Sequence, residues 1–195
     1  MAKPKGYDVD AAIDGAMGVF WRQGYAATSI DDLEKAMGIK RSSLYHAFSD
    51  KERLFTQTLR RYNHEVAGDF LGEMERGGGL AAIRRFFERL LEYHLREGDN
   101  YGCLMTNSAT ELAPHDPVVR ELVYSHLLRI ERSFLRALKV AQAQGEVAAD
   151  APVRDIARQL TAINHGLHVI AKLEPSPAFL KGIVRNALGA IPLAR

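Results

Sequence analysis

The chain is short of several things, and each shortage removes a class of protein. It has one cysteine, Cys103, in 195 residues, so no intrachain disulfide can form and a reducing, cytoplasmic setting is expected. No apolar run approaches the ~20 residues that cross a bilayer. The opening MAKPKGYDVD lacks the apolar stretch of a secretory signal, which again predicts a cytoplasmic protein with no membrane partner. Neither sign of charge dominates: the net charge is +2. A sequence-blind nucleic-acid coat would need far more. The patterns GxSxG and HExxH and a glycine-rich phosphate loop are all missing, and no nucleophile–base pair is readable. An enzyme is therefore not expected. His165 and His168 lie three apart and His115 precedes Asp116, but no Cys/His cluster of structural-zinc type exists. No metal and no cofactor are expected.

What is present reads as helix throughout, with no strand-like alternation, internal repeat or low-complexity segment. Ile13, Met17 and Phe20 recur at helical spacing, and Gly24 is placed to end that helix. Thr28 and Ser29 offer N-caps for a second helix through Ile30, Leu33 and Met37, with Asp31 and Asp32 in the first turn, where the helix dipole favours acids. Gly38 breaks it, and a third helix starts near Lys40 or Arg41. Ser49 with Glu52 reads as a capping box for a fourth. The spacing of Leu54, Thr58, Tyr62, Val66 and Phe70 carries that fourth helix about twenty residues. GGG at 77–79 is the clearest linker, and helices follow around Ile83–Leu91, Leu104–Leu112, Asp116–Gly145, Pro152–Ile170 and Pro177–Leu188. The expectation is an all-α protein of about nine helices. Residues 1–50 would form a helix-turn-helix head with an N-terminal arm at 1–7, and residues 51–195 a larger body.

The third helix explains its own odd composition. IKRSSLYHAF has few apolar residues, Ile39, Leu44 and Phe48. With Leu44 inward and ~100° per residue, Ser42, Tyr45 and His46 face outward, and Arg41 and Ser43 sit at the flanks. Such a small hydrogen-bonding surface fits a major groove. Arg41 suits a guanine edge, and Tyr45 and Ser43 suit phosphates. Lys51, beside the N-terminus of the fourth helix, makes a phosphate clamp, and so does Thr28–Ser29. Lys3 and Lys5 could follow the backbone or a minor groove. Residues 1–61 hold ten cations against eight anions, so placement rather than net charge carries this reading.

The run FWRQGYAATSIDDLEKAMGIKRSSLYHAFSDKERLF resembles the DNA-binding domain of the tetracycline-repressor (TetR) family, through F…GY…TS, A-x-G-I and LYHAF-x-x-K-E-x-L. The resemblance implies double-stranded DNA with a palindromic operator as partner, bound by a homodimer and released by a small-molecule inducer. It implies that Thr28, Arg41, Ser42, Ser43, Tyr45, His46 and Lys51 face DNA. The chain departs from the family at Lys40, where Ser or Thr usually caps the recognition helix; either that helix starts more weakly or Lys40 is itself a DNA contact.

In the body, a small-residue stripe, Ala157, Thr161, Asn164 and His168, runs beside the apolar stripe of the penultimate helix. With Leu180, Ile183, Val184 and Leu188 on the last helix, it is the expected dimer face. Phe86, Phe87, Tyr93, Cys103, Met105, Leu122, Leu127 and His168 are candidates to line a ligand pocket. Cys103, following Gly102 at a helix start, resembles the sensing cysteine of the N-ethylmaleimide-responsive subgroup, GC-L-x-x-N. A buried core thiol is the alternative reading.

Overall fold

A computed structural model describes residues 7–76, 78–96, 98 and 100–194; Lys3 and Lys5 of the expected arm lie outside them. Among these residues are ten α-helices and one 3₁₀ turn: α1 (Val9–Gln23), α2 (Ile30–Met37), α3 (Arg41–Phe48), α4 (Lys51–His64), α5 (Val66–Arg76), α6 (Gly79–Leu95), α7 (Leu104–Glu111), α8 (Pro117–Ala143), α9 (Val153–Ile170) and α10 (Pro177–Gly189). The expected twenty-residue fourth helix is bent at Glu65 into α4 and α5. The Glu65 N–H still donates to the Arg61 carbonyl and the Asp69 N–H to Glu65, so the two form one bent rod and the total of about nine holds. The single antiparallel bridge among the described residues joins Val147 to Leu193.

Local chemistry sets most helix ends. Asp8 caps α1, its carboxylate accepting from the Asp10 and Ala11 N–H groups. Ser29 and Asp32 form a reciprocal capping box at α2, satisfying two otherwise orphan donors. Asp116 caps α8 ahead of Pro117, and Ser176 caps α10 ahead of Pro177. At α4 the cap is Asp50, accepting from Arg53 N–H at 2.7 Å. The capping box expected from Ser49 is not formed, because Ser49 turns to φ 70° and Asp50 takes the N-cap position. A Cβ on Gly15 would meet the Ala36 carbonyl oxygen at 2.3 Å, so glycine there lets α1 and α2 pack backbone to backbone.

Two apolar clusters organise the chain. The first gathers Ala16, Phe20, Leu33, Leu44 and Phe48 of the head with Leu54, Phe55, Leu59 and Tyr62 of α4, and reaches Cys103, Leu104, Met105 and Val119. The second fills the body between α5, α6, α8, α9 and α10, around Phe86, Phe87, Phe134, Leu138 and Leu160. Side chains therefore interlock across residue 50. Arg61 reinforces the joint by donating from α4 to Asp14 at 2.5 Å and Asp10 at 3.0 Å on α1.

Candidate functional site

The third helix is anchored by Leu44, fully buried, and Phe48, and these two hold the rest of its surface outward. Arg41, Ser42, Tyr45 and His46 are exposed and Ser43 is half-buried. Tyr45 is 44% exposed, unusual for a large ring without something to meet it. Lys40 sits at the N-cap with no side-chain cap bond. Its missing function is supplied from the neighbouring helix, since the Arg41 N–H donates to Glu34 Oε1. Lys40 is thus left exposed and free of a capping duty. Arg41 itself pairs with Asp31 at 2.6 Å and with Glu34 at 3.5 Å, so reaching a base edge means exchanging these exposed ion pairs, each worth at most about 1 kcal/mol.

The flanking residues divide. Ser29 is exposed and its hydroxyl donates to Asp32 at 2.6 Å. Thr28, expected on the DNA side, is only 2% exposed. Its hydroxyl donates to the Gly24 carbonyl at 2.6 Å and accepts from Gln23. Thr28 therefore shapes the α1–α2 turn from within. Lys51 opens α4 half-buried, its Nζ 4.3 Å from the centre of the Tyr25 ring. Desolvation lowers its pKa from the ordinary lysine value, against the opposing pull of Glu111. Glu111, the last residue of α7, also accepts from the Tyr25 N–H at 3.1 Å and the Ala26 N–H at 2.7 Å. The body thereby holds the turn that precedes α2, a contact no local sequence signal announces.

Behind the head lies an internal cavity. Its walls include Phe86, Tyr93, Cys103 and His168 of the expected set, joined by Trp21 from α1, Tyr62 from α4, and Phe70, Leu90, His126, Ile130 and Asn164. Four expected lining residues are elsewhere. Phe87 stacks on Phe134 at 5.7 Å in the body core. Met105 is buried in the head-side cluster and Leu122 packs on its edge. Leu127 is half-buried and outside the cavity wall. The Trp21 indole N–H and the Tyr93 hydroxyl both donate to the Gly102 carbonyl, at 3.1 and 3.0 Å. Gly102 has φ 68° and no room for a Cβ, which would meet the His168 carbonyl oxygen at 2.8 Å. Cys103 is the N-cap residue of α7 and 3% exposed, a buried thiol on the cavity wall.

Histidines crowd this interior. His94 Nε2 lies 3.1 Å from His168 Nδ1, His126 Nδ1 2.8 Å from Asn63, and His165 Nδ1 2.9 Å from the Thr106 hydroxyl. Burial lowers the pKa of all four, that of His126 to about 3, so near neutral pH they are uncharged. No group of three or more His, Cys, Asp or Glu converges as a metal site among the described residues.

The expected dimer stripe packs within this one chain. Ala157, Thr161, Asn164, Leu180 and Val184 are buried within this one chain. His168 lines the cavity, and Ile183 and Leu188 pack partly buried on the body core. Small side chains on α9 let the 27-residue α8 lie close along it, and the Thr161 hydroxyl satisfies itself on the Ala157 carbonyl at 2.8 Å. The outward apolar groups are instead Val169, Leu173 and Phe179, 51%, 79% and 54% exposed.

A short polar helix displayed second in a helix-turn-helix, backed by a helical body with an internal cavity, defines a DNA-binding regulator. Comparison with known proteins sharpens this. Residues 12–58 match the model of bacterial regulatory proteins of the tetR family, and residues 79–187 that of the tetracyclin repressor-like C-terminal domain. The chain is 33% identical over 172 residues to the HTH-type transcriptional repressor ComR of Escherichia coli (strain K12), covering 87% of this chain and 82% of ComR. It is 31% identical over 176 residues to the HTH-type regulator YezE of Bacillus subtilis (strain 168), covering 89% and 90%. Among solved structures, a cysteine-substituted CifR bound to a 26-base-pair operator superposes with a TM-score of 0.86 at 28% identity, covering 97% of this chain and 100% of CifR. The chain belongs to the TetR family of transcriptional regulators. Among its described residues no helix is long and apolar enough to cross a membrane.

Proposed function

We propose that the protein is a cytoplasmic repressor that binds a palindromic operator as a homodimer and is released by a small molecule entering the body cavity. Residues 1–50 carry the DNA contacts and residues 51–195 the ligand and dimer functions. The observation that carries the reading is the exposed polar face of α3, standing on a fully buried Leu44. Ser42, Tyr45 and His46 project into the major groove, with Arg41 at a base edge and Ser43 and Tyr45 on phosphate. Lys40, freed of capping by Glu34, adds a backbone contact, and Lys51 and Ser29 clamp phosphates beside helix N-termini. A second subunit supplies the second reading helix, about one turn away along the duplex. Two similar α9–α10 faces meeting about a two-fold axis would cover Val169, Leu173 and Phe179.

Release is a shift between two arrangements of the head. The path runs along α7, whose first turn adjoins Cys103 at the cavity and whose last residue, Glu111, holds the Tyr25–Ala26 turn. Modification of Cys103 would act at the same end, by a reagent small enough to enter the cavity, since the thiol is buried. Selection of bound sites from a random duplex library at near-physiological salt tests the reading. One enriched palindrome is expected; uniform, strongly salt-sensitive recovery would instead mean sequence-blind binding.

A further inference from the structure

The cavity wall specifies what kind of molecule it takes. Its surface is mostly aromatic and aliphatic, from Trp21, Tyr62, Phe70, Phe86, Leu90 and Ile130, and among the described residues no Asp, Glu, Lys or Arg lines it. The histidines that do line it, His126 and His168, are held neutral by burial. An ion entering here would lose its water and gain no counter-charge, which excludes carboxylates, phosphates and alkylammonium groups. The room inside is about 50 Å³, a third of the ~150 Å³ that holds benzene in an engineered cavity. The occupant is therefore compact, and a ring enters only if half-buried Phe70 or Tyr93 shifts.

Several polar groups on the wall face other polar groups. Tyr93 donates to Gly102, His168 faces His94, and His126 faces Asn63. Asn164, 2% exposed, keeps its Oδ1 buried without a hydrogen-bond partner. An unpaired buried acceptor is costly to keep. An amide oxygen only accepts, so its partner must bring a proton. Amines are excluded by their charge.

We propose that the cavity binds a compact uncharged hydroxyl compound of about phenol size, admitted by a shift of Phe70 or Tyr93, whose O–H donates to Asn164 Oδ1. This rests on the reading of the protein as a ligand-responsive regulator, and names the ligand class of that site. Trp21 is the chain's one tryptophan and lies on the cavity wall, so its fluorescence, excited beyond the absorption of simple phenols, reports occupancy without DNA. Titration with phenol, anisole, toluene and benzoate separates the requirements. Phenol should bind about tenfold tighter than anisole, roughly 1.4 kcal/mol, and benzoate should not bind. In Asn164→Leu, which keeps the side-chain volume close, the phenol-to-anisole ratio should fall to near one, and toluene should bind better than in the parent.

Equal binding of phenol and anisole by the parent protein, preference for benzoate, or no binding of phenol overturns the assignment, and needs no variant to do so. A folded Asn164→Leu that keeps the tenfold preference overturns the role of Asn164. Operator release, followed separately by fluorescence anisotropy of labelled duplex, distinguishes the two levels. Phenol that binds without releasing DNA sinks the ligand-release reading and leaves the cavity chemistry standing. Operator binding without phenol binding does the reverse.

Discussion

The head and the body solve opposite problems with polar side chains. In α1–α3 the apolar residues are gathered inward, and the hydrogen-bonding groups Ser42, Tyr45 and His46 are left outside. In the body the polar groups go inward: His94, His126, Ser133, Thr161 and Asn164 are all buried, while Val169, Leu173 and Phe179 stand in the open. A partner that is large, polar and anionic has to be met on a surface. A small uncharged partner has to be enclosed, and enclosure puts a few polar groups in the interior at the risk of leaving one unsatisfied, as at Asn164. The contrast also locates the coupling. The two regions meet where Trp21 and Tyr62 leave the head cluster to form part of the cavity wall and where Glu111 leaves the body to hold the head.

Phe20 holds the head together, fully buried and edge-on to Phe55 at 4.9 Å. Phe20→Ala should cost about 3–5 kcal/mol of stability and abolish operator binding. Amide exchange should show the head opening while the α8–α10 core keeps its protection; equal loss in both regions would mean that one cooperative unit spans them. Next, Arg41→Ala should cost about 1–3 kcal/mol in operator affinity and relax the preferred base at one position. Lys51→Ala, by contrast, should weaken binding to all sequences alike and lower the salt slope by about one. If Arg41→Ala leaves the selected sequence unchanged, its base-reading role is wrong.

The buried histidines give the comparison a pH axis. They are neutral in the fold, and the unfolded chain takes up their protons below its own pKa near ~6.5. Since the unfolded state then binds more protons, stability is intact above that pH and falls as pH drops towards about 3, the folded value of His126. The expected slope from His126 is about 1.4 kcal/mol per pH unit. Denaturant midpoints between pH 7 and pH 5 test it, and His126→Asn should flatten the curve. The smallest effect is at the start of α3. Glu34→Ala removes the acceptor for the Arg41 N–H and should cost about 1 kcal/mol, and adding Lys40→Ser should restore most of it. A Glu34→Ala protein as stable as its parent would show that α3 needs no cap.

The head was the more legible region because its signals are local. Gly24, Ser29, Asp32 and Gly38 each fix a helix end within a few residues, and a single inward leucine orients α3. Even there three details follow from contacts that the residue pattern does not single out. Thr28 turned inward to Gly24, Asp50 displaced Ser49 as the cap of α4, and the cap that Lys40 lacks came from Glu34 on another helix. In the body, periodicity found every helix but not the neighbour of each face. Ala157, Thr161 and Asn164 have the composition of an interface between subunits, and α8 of the same chain occupies that side. Phe86 and Phe87 are adjacent and chemically alike, yet one borders the cavity and the other stacks on Phe134.

Residue spacing and backbone chemistry within a turn or two were enough to place the helices, most of their ends, the polar face of α3 and the low net charge and disulfide-free character of the chain. Which faces lie inside, the wall that Trp21 and Tyr62 share with His168, and the unpaired oxygen of Asn164 emerge only on folding. Burial and hydrogen-bond satisfaction depend on groups tens of residues away, and no local pattern encodes which of them will arrive.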